Sequence, residues 1–246
     1  MRRYNPTMSS SLMQKEMATS VHNAMTVQGT IHKTGILTAL LFVAAAWSWS
    51  QIAGQGELAI AYAQKYMMIS AIVGFVIALA TVFLRKYAAF LAPLYALVEG
   101  LFLGSVSMVM EQFFPGIVFQ AVLGTMSVFA VMLFLYERKI IRVTDKLRSI
   151  VFAATGAIFL MYLASWILSF FGVQMGFLHD SGPLGIGISL FVIAVAAFNL
   201  LLDFDMVEQY AGRMEKYMEW YCGFAVLVTL VWLYMEILRL LAKTRD

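Results

Sequence analysis

The chain has 246 residues, of which 62% are hydrophobic and 13% are charged, and its mean hydropathy is +0.82. Soluble domains average about 45–50% apolar and about 25% charged residues, so this chain has too few polar residues to cover a soluble exterior. Its composition also excludes disordered and collagen-like chains. A single cysteine, Cys222, excludes a disulfide framework, and the net charge of +3 is too small to indicate nucleic-acid binding. An integral membrane protein remains.

Seven apolar stretches are long enough to cross about 30 Å of hydrocarbon as helices, which takes about 20 residues each. They are Gly35–Ile52, Met67–Leu84, Ala88–Met110, Ile117–Tyr136, Ile150–Phe171, Leu184–Leu202 and Tyr221–Leu241. The stretches are continuous rather than alternating, which favours helices over the strands of a β-barrel. The sequence therefore predicts an all-α integral membrane protein with seven transmembrane helices.

A polar tail, residues 1–33, precedes the predicted membrane domain, residues 34–246. The tail lacks the features of a signal peptide, so we expect the first span to be retained. Within the tail, apolar residues recur every four positions at Met13, Met17, Val21 and Met25. Two interpretations stay open: a helix lying at the membrane interface, or a mobile tail.

The distribution of Lys and Arg predicts the orientation of the chain. If the N-terminus is cytoplasmic, 13 of the 17 basic residues lie on the cytoplasmic side, in agreement with the positive-inside rule. Arg239, Lys243 and Arg245 are then on the outer side if all seven spans are complete. A re-entrant last segment would remove this conflict.

Acidic residues in or beside the spans are the candidates for function. An ionised carboxylate at a helix centre costs about 2.5–3.5 kcal/mol on insertion scales, so it needs water, a partner or a proton. Glu99 lies near the middle of the third span, beside Gly100 and Gly104, whose small-xxx-small spacing lets another helix approach closely. Its carboxyl either bonds between helices or belongs to an ion or proton path.

The other acidic candidates are in the last two spans. Asp203 and Asp205 lie two residues apart and so face different neighbours on a helix; Asp203 is the better interior candidate and Asp205 suits a solvated helix end. Glu236 either pairs with Arg239, one turn on, or faces Asp203 across the hairpin of the last two spans. Two carboxyls that share a site cannot both ionise cheaply, so such a pair would respond to pH, and their hard oxygen atoms suit Ca²⁺. This pairing requires both helices to extend beyond their apolar stretches.

The sequence lacks the motifs of known catalytic sites. His22, His32 and His179 are scattered outside the spans, and no HExxH, GxSxG or phosphate-binding loop is present. The last span has no Lys before Lys243, which excludes the usual Schiff base of a seven-helix retinal protein. We therefore predict no enzymatic activity and no cofactor.

Three segments, in the third, sixth and last spans, carry a family resemblance. They are Ala96–Gly104 (ALVEGLFLG), Leu200–Gln209 (LLLDFDMVEQ) and Trp232–Leu240 (WLYMEILRL). In this order they are similar to a Glu-Gly signature, a segment ending in an aspartate and the last-helix motif of the Bax inhibitor-1 family (transmembrane Bax-inhibitor-motif proteins). The chain resembles the bacterial YccA-like branch of that family, and the seven-span plan extends the resemblance to everything after residue 33.

The resemblance implies a last helix wrapped by six others and a pH-sensitive Ca²⁺ leak pathway in the cell inner (plasma) membrane. It places the pH sensor on a pair of carboxylates, Asp203 (with Asp205 as the alternative) and Glu236, which transiently bind calcium. It also places Arg85 in contact with this sensor. The family has Asp where this chain has Glu236, and its connection between helices six and seven is shorter, so the sequence leaves the direct contact open.

Two functions of different classes are consistent with the sequence. The first is a passive calcium-permeable leak channel gated by protonation of the carboxylate pair. The alternative is a non-enzymatic interaction protein that modulates a membrane protease or another membrane complex, with the polar tail suited to capture by such a partner. A proton-coupled transporter is less favoured, because no pair of spans broken by Gly or Pro is visible.

Overall fold

The computed structural model describes residues 24–171 and 181–245. These residues form seven long helices: α1 (Val27–Ala53), α2 (Ala59–Phe83), α3 (Ala88–Phe113), α4 (Ile117–Glu137), α5 (Asp145–Phe170), α6 (Pro183–Tyr210) and α7 (Met218–Lys243). All seven are long and apolar enough to span a membrane. The predicted class, an all-α membrane protein with seven transmembrane helices, is confirmed.

Several helices extend further than their apolar stretches. α1 begins at Val27 rather than Gly35, α2 begins at Ala59 rather than Met67, and α6 ends at Tyr210 rather than Leu202. Hydropathy marks only the part of a helix that lies in hydrocarbon, whereas backbone hydrogen bonding continues through polar residues at the membrane surface.

The last helix, α7, is the centre of the bundle. It packs closely against α1, α3, α4 and α6, while α2 packs mainly on α3 and α5 on α6. Of the seven helices, α7 has the largest buried share. The expected central position of the last helix is confirmed, with four close helical neighbours and with α2 and α5 further out.

The small residues of α3 bring it close to α1. A Cβ atom added at Gly100 would meet the backbone oxygen of Leu41 and the side chain of Ala44, and one added at Gly104 would meet the backbone of Ala45. Only glycine leaves room for this approach. The close helix contact predicted from the small-xxx-small spacing is confirmed, with α1 as the partner.

The chain before α1 is held against the connection between α6 and α7. The Met25 N–H donates to the Met214 carbonyl (2.8 Å), and the Gly212 N–H donates to the Met25 carbonyl (2.8 Å). The Met25 side chain is fully buried beside Val207 and Met218. Met25 therefore packs inside the protein; the rest of the predicted apolar stripe, Met13, Met17 and Val21, lies outside the described residues.

The last helix runs without a break from Met218 to Lys243 and ends beside the start of α6, which does not fit the alternative of a re-entrant last segment. Near its end, Lys243 is buried and donates to the Gly185 carbonyl (3.1 Å) and to Ser189 Oγ (3.0 Å). Arg245 donates to the Pro115 carbonyl (2.9 Å), in the connection between α3 and α4. These C-terminal cations therefore bond to the protein itself.

Candidate functional site

The first predicted acid, Asp203, contacts the central helix. Asp203 Oδ2 accepts a hydrogen bond of 2.6 Å from the Thr229 hydroxyl of α7. The Cys222 thiol lies close enough to interact electrostatically with the Asp203 carboxylate. The carboxylate is half-buried and lies about 10 Å inside the C-terminal end of α6. Among the described residues, no basic side chain forms an ion pair with it. Asp203 is thus a carboxylate within a membrane span, and its hydrogen-bond partner is an uncharged hydroxyl group.

Asp205 faces a different helix, as the two-residue spacing predicts. Its Oδ2 atom forms a salt bridge of 2.7 Å with Arg148 at the start of α5 and accepts a bond of 2.6 Å from Gln209. The Arg148 side chain is 46% exposed. Asp205 therefore belongs to an ion pair at the bundle end rather than to the interior.

Glu236 lies further along α7, where it has a charged partner. It is 2% exposed, and Arg239 Nη1 donates to both of its oxygen atoms at 2.9 and 3.0 Å. The Tyr162 hydroxyl of α5 donates to Glu236 at 3.0 Å and accepts from Arg239 at 2.6 Å. The Arg239 guanidinium also lies over the Tyr162 ring, 5.1 Å from its centre. Of the two interpretations that the sequence leaves open for Glu236, the structure shows the pair with Arg239, one turn on.

Asp203 and Glu236 do not bond to each other. Both helices extend as that pairing requires, but Asp203 meets α7 at Thr229, seven residues before Glu236. This separation is about 10 Å along the helix, and residues seven apart lie on the same face. The expected carboxylate pair is therefore not formed. Asp203 of α6 contacts the same face of α7 on which Glu236 lies, but at a separate point along the helix. No group of three or more His, Cys, Asp or Glu residues in the described ranges is placed to hold a metal ion.

Both carboxylates belong to a line of polar side chains where α5, α6 and α7 meet. Between them, the Asn199 amide of α6 donates to the Thr155 hydroxyl of α5 at 2.8 Å. We call this line the polar seam; from the N-terminal end of the bundle it comprises Arg148 with Asp205, Asp203 with Thr229, Asn199 with Thr155, and Tyr162 with Glu236 and Arg239. The seam follows the long axis of the bundle through most of its length.

An apolar cluster interrupts the polar seam between Asn199 and Glu236. Ile158 of α5 and Val192 and Val195 of α6 are buried together, and Trp232 of α7 packs against them. Trp232 lies between Thr229 and Glu236 on the same helix, so the cluster separates the two carboxylates. We call these four residues the apolar plug. Packed apolar side chains of this kind offer water no hydrogen-bond partner.

Arg85 does not contact either carboxylate, contrary to the expectation from the resemblance. It is exposed in the turn before α3, and its guanidinium lies over the Tyr221 ring of α7, 5.1 Å from the ring centre. Asp203 is about two turns inside the bundle from this end, which accounts for the missing contact. Arg85 touches the first turn of α7 instead.

Glu99 lies apart from the polar seam, between α2 and α3. A Cβ atom at Gly74 of α2 would lie 3.0 Å from Glu99 Oε2, so the absence of a side chain at Gly74 makes room for the carboxylate. The Tyr95 hydroxyl, one turn earlier in α3, interacts with it. Glu99 therefore lies at the contact between α2 and α3, but Tyr95, the residue that interacts with it, is on its own helix, so the predicted bond between helices is not observed.

Sequence reasoning missed Glu219, which is not among the acidic candidates named from the spans. Glu219 is 1% exposed, and its Oε1 atom accepts bonds from the Thr26 N–H (3.1 Å) and the Thr26 hydroxyl (3.0 Å). Lys33 Nζ lies 3.8 Å from its Oε2 atom. The carboxylate thus lies at the positive N-terminus of α1, where a negative charge is stabilised. Gly29, whose Cβ would overlap this carboxylate, is the local signal that a neighbour approaches there.

The comparison with known families gives one match. The family described as Bax inhibitor 1 like matches residues 5–246, nearly the whole chain. No curated protein and no solved structure gives a significant match.

Proposed function

Because the chain belongs to the Bax inhibitor 1 like family, we propose that this multi-pass membrane protein is a pH-sensitive, calcium-permeable leak channel. Ions follow the polar seam between α5, α6 and α7. The observation that carries the proposal is the placing of two carboxylates, Asp203 and Glu236, along one face of the central helix with the apolar plug between them. The channel is passive and has no enzymatic step.

Asp203 is the protonation site of the proposed channel. An ionised carboxylate within a span needs water, a cation or a proton, and Asp203 has only the Thr229 hydroxyl as a direct hydrogen-bond partner among the described residues. Carboxylate, amide and hydroxyl oxygen atoms, which Ca²⁺ accepts as ligands, follow one another at Asp203, Asn199 and Thr229. Calcium is the transported ion here, bound in passing by Asp203 and Glu236, and not a resident metal.

The apolar plug is the gate, and the described arrangement is its closed state. Ions cross such a section only when it widens enough to hold water. A change of charge at Asp203 alters the contact between α6 and α7 one turn from the plug, which links protonation to opening. We place the N-terminus in the cytoplasm of a cell with the protein in its inner (plasma) membrane, because this orientation keeps most free basic loops inside.

The proposal is tested by Ca²⁺ flux into liposomes that contain the purified protein and a calcium dye. We expect flux above that of empty liposomes and a dependence on pH that disappears in Asp203→Asn, because asparagine has the shape of a protonated aspartate and cannot gain charge. Asp205→Asn, two residues away in the surface ion pair, is the matched control and keeps the pH dependence. Flux equal to empty liposomes at every pH, or an unchanged pH profile in Asp203→Asn, would contradict the proposal.

The gate is tested in the same assay. Val195→Thr adds a hydroxyl to the apolar plug with little change of shape, so water enters more easily and the flux rises. Val226→Thr makes the same change at a buried position of α7 that is outside the plug, and its flux stays at the wild-type level. Equal flux in the two variants would remove the plug from the mechanism.

The interaction protein predicted from the sequence is the second candidate and is separable from the leak. Deleting residues 1–33 would remove the first turns of α1 and the Thr26 contact with Glu219, so the informative deletion is residues 1–23. A channel keeps its flux after this deletion. A protein that acts by presenting its tail to a membrane protease loses co-purification with that protease.

A further inference from the structure

A cavity on the opposite side of α7 from the polar seam has no part in the proposed function. It has a volume of about 370 Å³ and lies among α1, α3, α4 and α7. α1 and α4 both pack against α7, but they do not pack closely against each other. A cleft therefore remains between α1 and α4. The floor of the cleft is formed by Leu227, Leu230 and Val231 of the central helix.

The cleft opens towards the lipid at mid-membrane depth. Its rim includes Phe42 of α1 and Met126 of α4, which are 45% and 38% exposed, and Ala46, which is also exposed. Phe42 and Met126 lie near the middles of their helices. Hydrocarbon is the solvent at that depth, so the molecules that reach the opening sideways are lipid chains.

The hydroxyl groups around the cavity are already hydrogen-bonded within the protein. Ser107 and Tyr234 bond to each other (2.6 Å), Thr125 donates to the Ala121 carbonyl (2.7 Å), and Thr38 bonds to a carbonyl of its own helix. A polar ligand would therefore find few free partners. An apolar cavity of about 150 Å³ stays dry and takes up apolar molecules, and this one is more than twice as large.

We propose that the cleft between α1 and α4 binds one acyl chain of a membrane phospholipid. The chain enters between Phe42 and Met126 and lies on Leu230 and Val231 of α7, with the headgroup remaining at the membrane surface. Van der Waals packing of the chain against α7 stabilises the complex, since no apolar surface leaves water inside the bilayer, and no new polar contact is required. The bound chain thereby becomes part of the packing of the central helix.

The test uses the full-length protein in nanodiscs of phosphatidylcholine that carries a photoreactive diazirine at mid-chain. After irradiation, the labelled residues are mapped by mass spectrometry. We expect label on Leu227, Leu230 or Val231, which are at most 8% exposed and are out of reach of lipids that only surround the bundle. Label confined to outward-facing residues would overturn the proposal.

Paired tryptophan variants distinguish the cleft from the general lipid surface. Ala46→Trp places a large ring at the rim of the cleft, and we expect labelling of α7 to fall about tenfold. Ala71→Trp makes the same change at an exposed alanine of α2 away from the cleft, and labelling stays at the wild-type level. Equal labelling of α7 in both variants, or a dimer in native mass spectrometry that leaves α7 unlabelled, would contradict binding of an acyl chain.

Discussion

The two carboxylates on the path along α7 have opposite surroundings. Glu236 is fully buried, but Arg239 balances its charge and Tyr162 completes its hydrogen bonding. Asp203 is half-buried and bonds to the neutral hydroxyl of Thr229, with no ion pair among the described residues. The depth of burial therefore does not identify the group that responds to pH. We propose that the presence or absence of a countercharge does, so that Asp203 is the protonation site of the proposed channel.

The largest expected effect comes from removing the countercharge of Glu236. Arg239→Gln leaves a buried carboxylate with only Tyr162, and we expect the free energy of unfolding to fall by about 2–3 kcal/mol, below the range for fully buried pairs because Arg239 is 36% exposed. Thermal unfolding in detergent measures the change. The double variant Arg239→Gln with Glu236→Gln should recover part of the loss; an equal or larger loss would show that the pair is not coupled.

A smaller effect is expected at the partner of Asp203. Thr229→Val keeps the shape of the side chain but removes the hydrogen bond to the carboxylate, and we expect a loss of about 1–2 kcal/mol at neutral pH. The loss should shrink at low pH, where a protonated Asp203 can find another acceptor. The same thermal unfolding, repeated across pH, checks this; a loss that is independent of pH would place the effect in packing alone.

The surface ion pair should contribute less. Asp205→Asn breaks the contact with Arg148, whose side chain is 46% exposed, and exposed pairs of this kind contribute about 0–1 kcal/mol. Added salt should reduce the difference from the wild type further. A loss comparable to that of Arg239→Gln would mean that the bundle end is as tightly organised as its interior.

The smallest effect on stability is expected for Asp203→Asn itself. The amide oxygen still accepts a bond from Thr229, and no charge is left without a partner, so the free energy of unfolding should stay within about 0.5 kcal/mol of the wild type. This variant would thus lose pH-dependent flux without losing stability. A large destabilisation would mean that the charge of Asp203 is needed for folding.

The sequence was sufficient to predict the helices and to identify the acidic residues within them, but not to predict which side chain each acidic residue contacts. Hydropathy located all seven spans, and the three-residue spacing gave the bond between Glu236 and Arg239 as one of two interpretations. The contact of Asp203 depended on how α6 and α7 slide past each other, which side-chain packing along the whole bundle decides. A shift of two turns separates the expected partner, Glu236, from the observed one, Thr229.

Long-range contacts of buried polar groups could not be predicted from the sequence either. Glu219 lies in a run of acidic residues typical of a solvated helix end, yet it caps a helix that begins 193 positions earlier at Thr26. The apolar plug is similar, because Ile158, Val195 and Trp232 are ordinary residues of apolar spans until three helices bring them together. Local sequence patterns identify the unusual residues, whereas the packing of the helices determines which residues each of them contacts.

The central claim is that Asp203, and not Glu236, changes its charge on the path along α7. Infrared difference spectra of the protein in liposomes, recorded between high and low pH, detect the carbonyl band of a newly protonated carboxyl group directly. Other carboxyl groups contribute to this band in every variant, so we predict a component that is lost in Asp203→Asn and retained in both Glu236→Gln and Glu99→Gln. A band that is unchanged in Asp203→Asn and loses a component in Glu236→Gln would contradict the account.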